Sequence, residues 1–228
     1  MKKISVVIPA LNEEDGIGHV VSAIPKLELE ELGYDVEILV VDNGSHDSTA
    51  ELASKAGANV VTEKLPGYGR ALKKGFSSAT GHIIVTADAD RTYPIEDIPR
   101  LVQFLEEAHL DFITTNRFAG IERGAMSRRN WIGNKVLTWV TNVLYGIDLK
   151  DSQSGMWVFS SNILDQLLLK SDGMPLSEEL KIEVCYFNRF HWRELPIRYK
   201  TRTGKVKLRA LRDGLQNLLF LFRKRISR

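Results

Sequence analysis

Two carboxylates, Asp88 and Asp90, follow the apolar run 83–87 with only Ala89 between them. Paired carboxylates at a strand end are hard oxygen donors, the ligand type a divalent cation takes when it also holds a diphosphate. The same pair has a plain structural use, capping the turn before a helix that begins near Pro94. Two more acids share this setting. Asp42 ends the run 36–41, and Glu13 comes four residues after Pro9, behind the run 4–8. An ionised carboxylate is acceptor-only, so Asp42 suits the donor groups of a base or ribose; Asn43-Gly44 beside it also reads as an ordinary turn. Glu13 equally complements the dipole of a helix start.

Elements must bring these side chains together. Residues 4–8, 36–41, 59–62, 83–86 and 112–115 read as strands, and 13–24, 48–56, 68–79 and 94–108 show helical spacing of apolar residues. Alternation of this kind predicts an α/β fold with a mostly parallel sheet covered on both faces. Ligands of such sheets sit beyond the carboxyl ends of the strands, so one cleft collects Asn12, Asp42 and Asp88. The second half predicts a helix over 131–147 that is more apolar than one face requires, strands over 156–159 and 194–199, and a helix over 177–187. A last helix spaces Leu208, Leu211, Leu215, Leu218, Leu219, Phe222 and Ile226 along one stripe.

The bulk numbers fit this picture. A chain of 228 residues, 43% hydrophobic and 26% charged, buries a sizeable core. The single cysteine, Cys185, excludes an internal disulfide framework and a cysteine metal site, as expected of a reduced cytosolic setting. The five histidines show no metal-ligand spacing. Neither a secretory leader nor an apolar run long enough to span a bilayer is apparent. The net charge of +2 hides segregation: residues 205–228 hold eight basic side chains against Asp213 alone, which leaves the rest of the chain acidic. The division expected is a domain over 1–204 and a basic amphipathic helix over 205–228 that lies on an anionic membrane surface. A nucleic-acid partner is disfavoured, because the basic residues interleave with a continuous apolar stripe.

Taken in order, the motifs are specific: Pro9 to Glu14, Asp42 to Ser45, Leu65 to Gly75, Asp88 to Pro94, Asp151 to Met156, Glu179 to Glu183 and Glu194 to Leu208. Over nearly its whole length the chain resembles the family-2 glycosyltransferases of the GT-A fold, Rossmann-like with a C-terminal amphipathic helix. Among them it resembles the polyprenyl-phosphate (dolichyl-phosphate) hexose synthases. The resemblance implies that Pro9, Leu11, Glu13 and Asp42 line a nucleotide pocket, with Gly67 and Arg70 completing its wall. It implies that Asp88, Ala89 and Asp90 form a metal–diphosphate centre for Mg2+ or Mn2+, and that Arg117, Arg129, Arg202 and Lys207 bind phosphate charge. Asp88, Asp90, Arg117 and Arg202 would be the catalytic set. Thr92 stands where mannosyl members commonly carry Gln, and Gly133 where related chains often offer a hydroxyl. The Asp-X-Asp-X-Thr-Tyr-Pro pattern is more like members that use UDP-glucose or UDP-N-acetylglucosamine, with GDP-mannose a further option.

The function implied is metal-dependent, inverting transfer of a hexose from a nucleotide-sugar donor to polyprenyl (dolichyl) phosphate. The enzyme would be cytoplasmic and peripheral on the inner face of the cell membrane. A phosphate monoester is already anionic near neutrality, with a second pKa of about 6, so such a reaction needs no catalytic base. The alternative keeps the fold and uses a soluble or glycan hydroxyl acceptor, for which Asp151 or Glu179 would serve as base. A nucleotidyltransferase fits less well, since it calls for a Gly-rich basic loop where this chain has Pro9 to Glu14.

Overall fold

A computed structural model describes residues 2–204 and 210–226. The apolar runs of the first half become β1 (Lys2–Ala10), α1 (Ile17–Ser22), α2 (Lys26–Glu31), β2 (Tyr34–Asp42), α3 (Thr49–Lys55), β3 (Asn59–Thr62), α4 (Tyr68–Ser78), β4 (Ile83–Thr86), α5 (Ile98–Glu107) and β5 (Phe112–Asn116). The second half adds α6 (Arg128–Tyr145), β6 (Trp157–Ser160), α7 (Leu176–Ile182), β7 (Trp192–Pro196) and α8 (Ala210–Ile226). One π turn, Glu183–Phe187, continues α7.

The strands form one sheet in the order β3-β2-β1-β4-β6-β5-β7. All pairings are parallel except those of β6, which runs against both β4 and β5. The sheet is covered on both faces, as its unbroken apolar strands require. Ile4, Val6 and Ile8 of β1 pack with α1 and α5, and Val7 packs on the other side with Leu72 and Phe76 of α4 and Leu176 and Leu180 of α7. This is the period-two alternation of a strand buried on both sides. The parallel strands end on one rim. The reversed β6 begins there, so the segment 151–156 meets the ends of β4 and β5.

Helix α1 is shorter than the spacing of residues 13–24 predicts. The amides of Asn12, Glu13 and Glu14 are taken by the side chains of Ser45, Thr49 and Asp47, which holds residues 12–16 as a turn and delays the helix to Ile17. Helix α2 is not predicted by the spacing of its residues. The long pattern over 94–108 resolves into a 3-10 turn, Ile95–Asp97, followed by α5.

Helix α8 turns its apolar stripe outward: Leu211, Leu215, Leu219, Phe222 and Ile226 are exposed, whereas Asn217, Leu221 and Lys224 are buried, an inward face that the spacing of apolar residues does not mark. Leu208 lies outside the described residues. Polar contacts decide the orientation. Lys224 Nζ lies 2.5 Å from Glu183 Oε1 and 3.2 Å from Glu179 Oε1. Asn217 Nδ2 donates to Gln153 Oε1 at 2.9 Å, and the Tyr145 hydroxyl donates to the Leu221 carbonyl at 2.7 Å. A lysine this buried is retained only when paired, so the ion pairs fix which face turns inward.

Candidate active site

Beyond β4 the chain makes a tight polar loop. Arg91 takes a left-handed backbone, φ +68°, an uncommon conformation for a non-glycine residue. The turn folds Thr92 back onto Asp90, and Asp90 Oδ1 accepts from the Thr92 amide at 3.0 Å and from its hydroxyl at 2.6 Å. Thr92, where the sequence leaves a third metal contact open, therefore orients one of the paired carboxylates. Asp88, just beyond β4, is half-buried with the Tyr68 hydroxyl 3.4 Å from its Oδ1. Burial, and then the charge of Asp90, pushes the Asp88 pKa up to about 7 against the opposing pull of Arg117 and Arg202.

The reversed strand brings a second loop beside Asp88. The Tyr93 hydroxyl accepts from the Gly155 amide at 2.6 Å. A Cβ on Gly155 would stand 2.8 Å from the Tyr68 hydroxyl, so only glycine lets the loop pass this close. The same loop carries Asp151, which is fully buried. It accepts from Arg117 Nε at 2.7 Å, Nη2 at 2.9 Å and the amide at 3.1 Å. Burial alone would raise the Asp151 pKa, but Arg117 overrides it and holds the carboxyl below its usual range. Lys181, also buried, donates to the Ser152 and Ser154 carbonyls at 2.7 and 2.6 Å and so shapes the loop from beneath.

Arg202 reaches the site from the strap that follows β7. Its Nη1 lies 2.9 Å from Asp90 Oδ2 and its Nη2 lies 2.6 Å from Glu13 Oε1. The four carboxylates Glu13, Asp88, Asp90 and Asp151 thus face two guanidinium groups, Arg117 and Arg202. Among the described residues no three His, Cys, Asp or Glu side chains converge on one metal position. Two carboxylates suit a divalent cation whose remaining ligands are diphosphate oxygens and water, so the donor set fits Mg2+ or Mn2+. Ala89, between them, is buried and spaces the pair.

The nucleotide end lies along β1 and β2. Ala10 pairs with Asp42 and Pro9 with Val41, which sets Pro9, Leu11, Glu13 and Asp42 on one stretch of rim. Asp42 Oδ1 accepts from the Ser45 amide at 3.2 Å, so it closes its own turn. Asn43, read from sequence as an ordinary turn residue, proves to be the clamp of this wall. Its Nδ2 donates to the Glu63 and Leu65 carbonyls at 3.0 and 2.8 Å, and its Oδ1 accepts from the Gly67 amide at 2.8 Å. Gly67 has φ +147°, and a Cβ there would stand 2.3 Å from the Asp172 carbonyl oxygen. Arg70 turns to Asp172, with Nη2 and Oδ2 2.5 Å apart. Arg129 is exposed on the first turn of α6 and joins none of these pairs, and Lys207 lies outside the described residues. Tyr68 and Tyr93 were missed by sequence reasoning, although both lie inside quoted motifs; the signal available was a tyrosine beside each glycine or proline turn.

Residues 5–168 match the pattern described as Glycosyl transferase family 2. The low-salt glycan biosynthesis hexosyltransferase Agl6 of Haloferax volcanii is 34% identical over 96% of this chain, which spans about half of that relative, 52% of its length. A dolichyl-phosphate hexose transferase of the same organism is 30% identical over 92% of this chain and 89% of its own. Among solved structures, glucosyl-3-phosphoglycerate synthase from Mycobacterium tuberculosis, in complex with Mn2+, uridine diphosphate and phosphoglyceric acid, superposes with a TM-score of 0.77. The match covers 99% of this chain and 79% of that one at 24% identity, a likeness that establishes the shared α/β GT-A fold.

These findings correct the acceptor side of the expectation. The ligand in that synthase structure is phosphoglyceric acid, a small acid, and not the polyprenyl (dolichyl) phosphate that the sequence suggested. The likeness to dolichyl-phosphate synthases in particular is set aside with it. The membrane partner and the peripheral location on the inner membrane face are corrected too. Lys224, counted among the charges of a lipid-facing tail, is sequestered by Glu179 and Glu183, and Arg225 sits over the Tyr186 ring. Among the described residues no helix is long and apolar enough to cross a membrane.

Proposed function

The chain belongs to glycosyl transferase family 2, and on that premise we propose that it transfers a hexosyl group from a UDP-sugar to a hydroxyl of a soluble or glycan acceptor bearing negative charge, with a divalent cation held by Asp88 and Asp90. The observation that carries this reading is the meeting of those two carboxylates with Arg117 and Arg202 at the carboxyl rim of the sheet. Uridine is favoured by the Asp-X-Asp-X-Thr-Tyr-Pro pattern and by the nucleotide in the synthase complex. A glycan acceptor is favoured by the glycan-biosynthesis role of the Haloferax hexosyltransferase, and a small anionic one by phosphoglyceric acid. Arg123, Arg128 and Arg129 lie exposed between β5 and the start of α6 and give that side of the rim a positive field for such an acceptor.

In this mechanism Asp42 and the wall from Gly67 to Arg70 would seat the nucleoside, and Asp88 and Asp90 would hold the cation. The cation, when bound, neutralises the leaving diphosphate as a Lewis acid. Arg202 adds a planar fork suited to phosphate oxygens. The Tyr93–Gly155 bond keeps the 151–155 loop beside the reacting centre, so the acceptor is positioned by a rigid wall. A hydroxyl must lose its proton. Asp151 and Glu179 are both buried in ion pairs and are not the base. In an inverting displacement the hydroxyl attacks from the face opposite the diphosphate, so its proton passes to solvent on that side as the new bond to the sugar forms and the diphosphate leaves.

The test is a donor and acceptor panel. UDP-glucose, UDP-N-acetylglucosamine and GDP-mannose are each supplied with 3-phosphoglycerate, glycerol 3-phosphate, simple glycosides or a short polyprenyl phosphate, with Mn2+ or EDTA. Cation-dependent transfer from a UDP-sugar to a hydroxyl acceptor is the expected result. Transfer confined to the polyprenyl phosphate would overturn it.

A further inference from the structure

Both oxygens of Asp90 are already engaged: Oδ1 by the Thr92 amide and hydroxyl, Oδ2 by Arg202. Oδ2 keeps one lone-pair site, so a cation using Asp90 there would sit directly against the Arg202 guanidinium, and repulsion between the two positive charges favours moving one of them. Thr92 is the neighbour fixed by the turn, and Arg202 is the long side chain arriving from elsewhere. Resting on the function read above, we propose that Arg202 is a resident counter-ion for the metal seat, and that the donor diphosphate draws it off Asp90, so that nucleotide and divalent cation bind as a coupled pair.

Several features support this hand-over. Arg202 Nε is buried and has no hydrogen-bond acceptor among the described residues. A buried donor left without a partner is unfavourable, and a diphosphate oxygen would satisfy it. The guanidinium divides its two amino groups between two separate carboxylates, Asp90 and Glu13. Its fork is better matched to the two-point geometry of a phosphate. Among the described residues few ligands are offered to the cation, so binding without the diphosphate leaves it short of partners and opposed by a positive charge beside Asp90.

The strap is built so that the side chain moves and the backbone does not. The Lys200 amide donates to the Thr92 carbonyl and the Thr203 amide to the Asp90 carbonyl, each at 2.9 Å. The backbone on both sides of Arg202 is thus tied to the loop that carries Asp90. Rotation about the arginine's own bonds transfers its charge from carboxylate to phosphate over a short path. Coupling of this kind is reciprocal: the cation raises nucleotide affinity by the factor by which the nucleotide raises cation affinity.

The experiment measures free Mn2+ by electron paramagnetic resonance during titration of the full chain, with and without UDP, for the wild type, Arg202→Met and Arg202→Lys. Circular dichroism and the unfolding midpoint report whether each variant is folded. Arg202→Met should bind Mn2+ alone about tenfold tighter than the wild type, within the usual range of site coupling, and UDP should enhance that binding by a correspondingly smaller factor. Arg202→Lys, a point charge without the fork, should fall between the two. If Arg202→Met binds Mn2+ alone no tighter than the wild type while UDP still promotes binding to both, the counter-ion role is wrong and the metal seat stands. If no form binds Mn2+ with or without UDP, the metal seat fails as well.

Discussion

Asp151 and Arg117 meet in a buried two-point ion pair, Oδ2 to Nε at 2.7 Å and Oδ1 to Nη2 at 2.9 Å. The pair joins the loop before β6 to the end of β5 and excludes Asp151 from proton transfer. Asp151→Asn should therefore act on stability. Removing one partner of a buried pair leaves an uncompensated charge and costs about 3–5 kcal/mol, read as a lowered urea midpoint. An unchanged midpoint together with a collapsed kcat would instead mark Asp151 as a base.

Asp88→Asn and Asp90→Asn each remove a formal charge from the proposed metal seat. Transfer should fall on the order of a hundredfold or more in each, equivalent to about 3 kcal/mol of lost transition-state stabilisation. Steady-state rates at saturating Mn2+ make the comparison. Near wild-type turnover in either variant would remove that residue from the seat.

Asn43 holds three backbone groups of the wall around Gly67. Asn43→Ala leaves them without this partner, at a cost of about 1–3 kcal/mol. Because the wall faces the nucleoside in the proposed function, KM for the donor should rise more than kcat falls. Initial-rate kinetics over a range of donor concentration separate the two, and a pure kcat effect would contradict that placement.

Burial pushes the Glu178 pKa up to about 8, so the folded protein keeps a proton that the unfolded chain releases near the ordinary carboxylate pKa. Between those two values the native state binds more protons, and this residue's contribution to stability declines as pH rises. Glu178→Gln removes the titration. The difference in unfolding free energy between variant and wild type should shift in favour of the variant from pH 5 to pH 8.5, as followed by denaturant midpoints across that range. A difference that stays flat with pH would show that Glu178 is not held protonated.

Strands β3 and β4 coincide with the runs 59–62 and 83–86 because short apolar segments between turn residues carry their own boundaries. The acids Asp42, Asp88 and Asp90 were legible for a related reason: strand ends on a parallel sheet share a rim. Contacts between distant residues were not legible. The late start of α1 depends on Ser45, Asp47 and Thr49, and the inward face of α8 depends on Glu179 and Glu183. Periodicity marks the leucine stripe of α8 and gives no sign of Lys224, which the ion pairs turn inward. The acceptor was misread on similar grounds, since a set of arginines is compatible with lipid phosphate and with a small acid alike.

The reversed direction of β6 sets two stretches of chain on the rim beside the strap that carries Arg202. Residues up to Pro94 furnish one side, and the segment from Arg117 to Gly155 furnishes the other. The second segment enters and leaves without interrupting β1, β2 or β4, so insertions or exchanges there can be absorbed while the first side keeps its shape. Descendants of such a scaffold can diversify what they modify without rebuilding how they grip the activated sugar, and chimaeras cut at Asn116 and Met156 would be the natural way to exploit that separability.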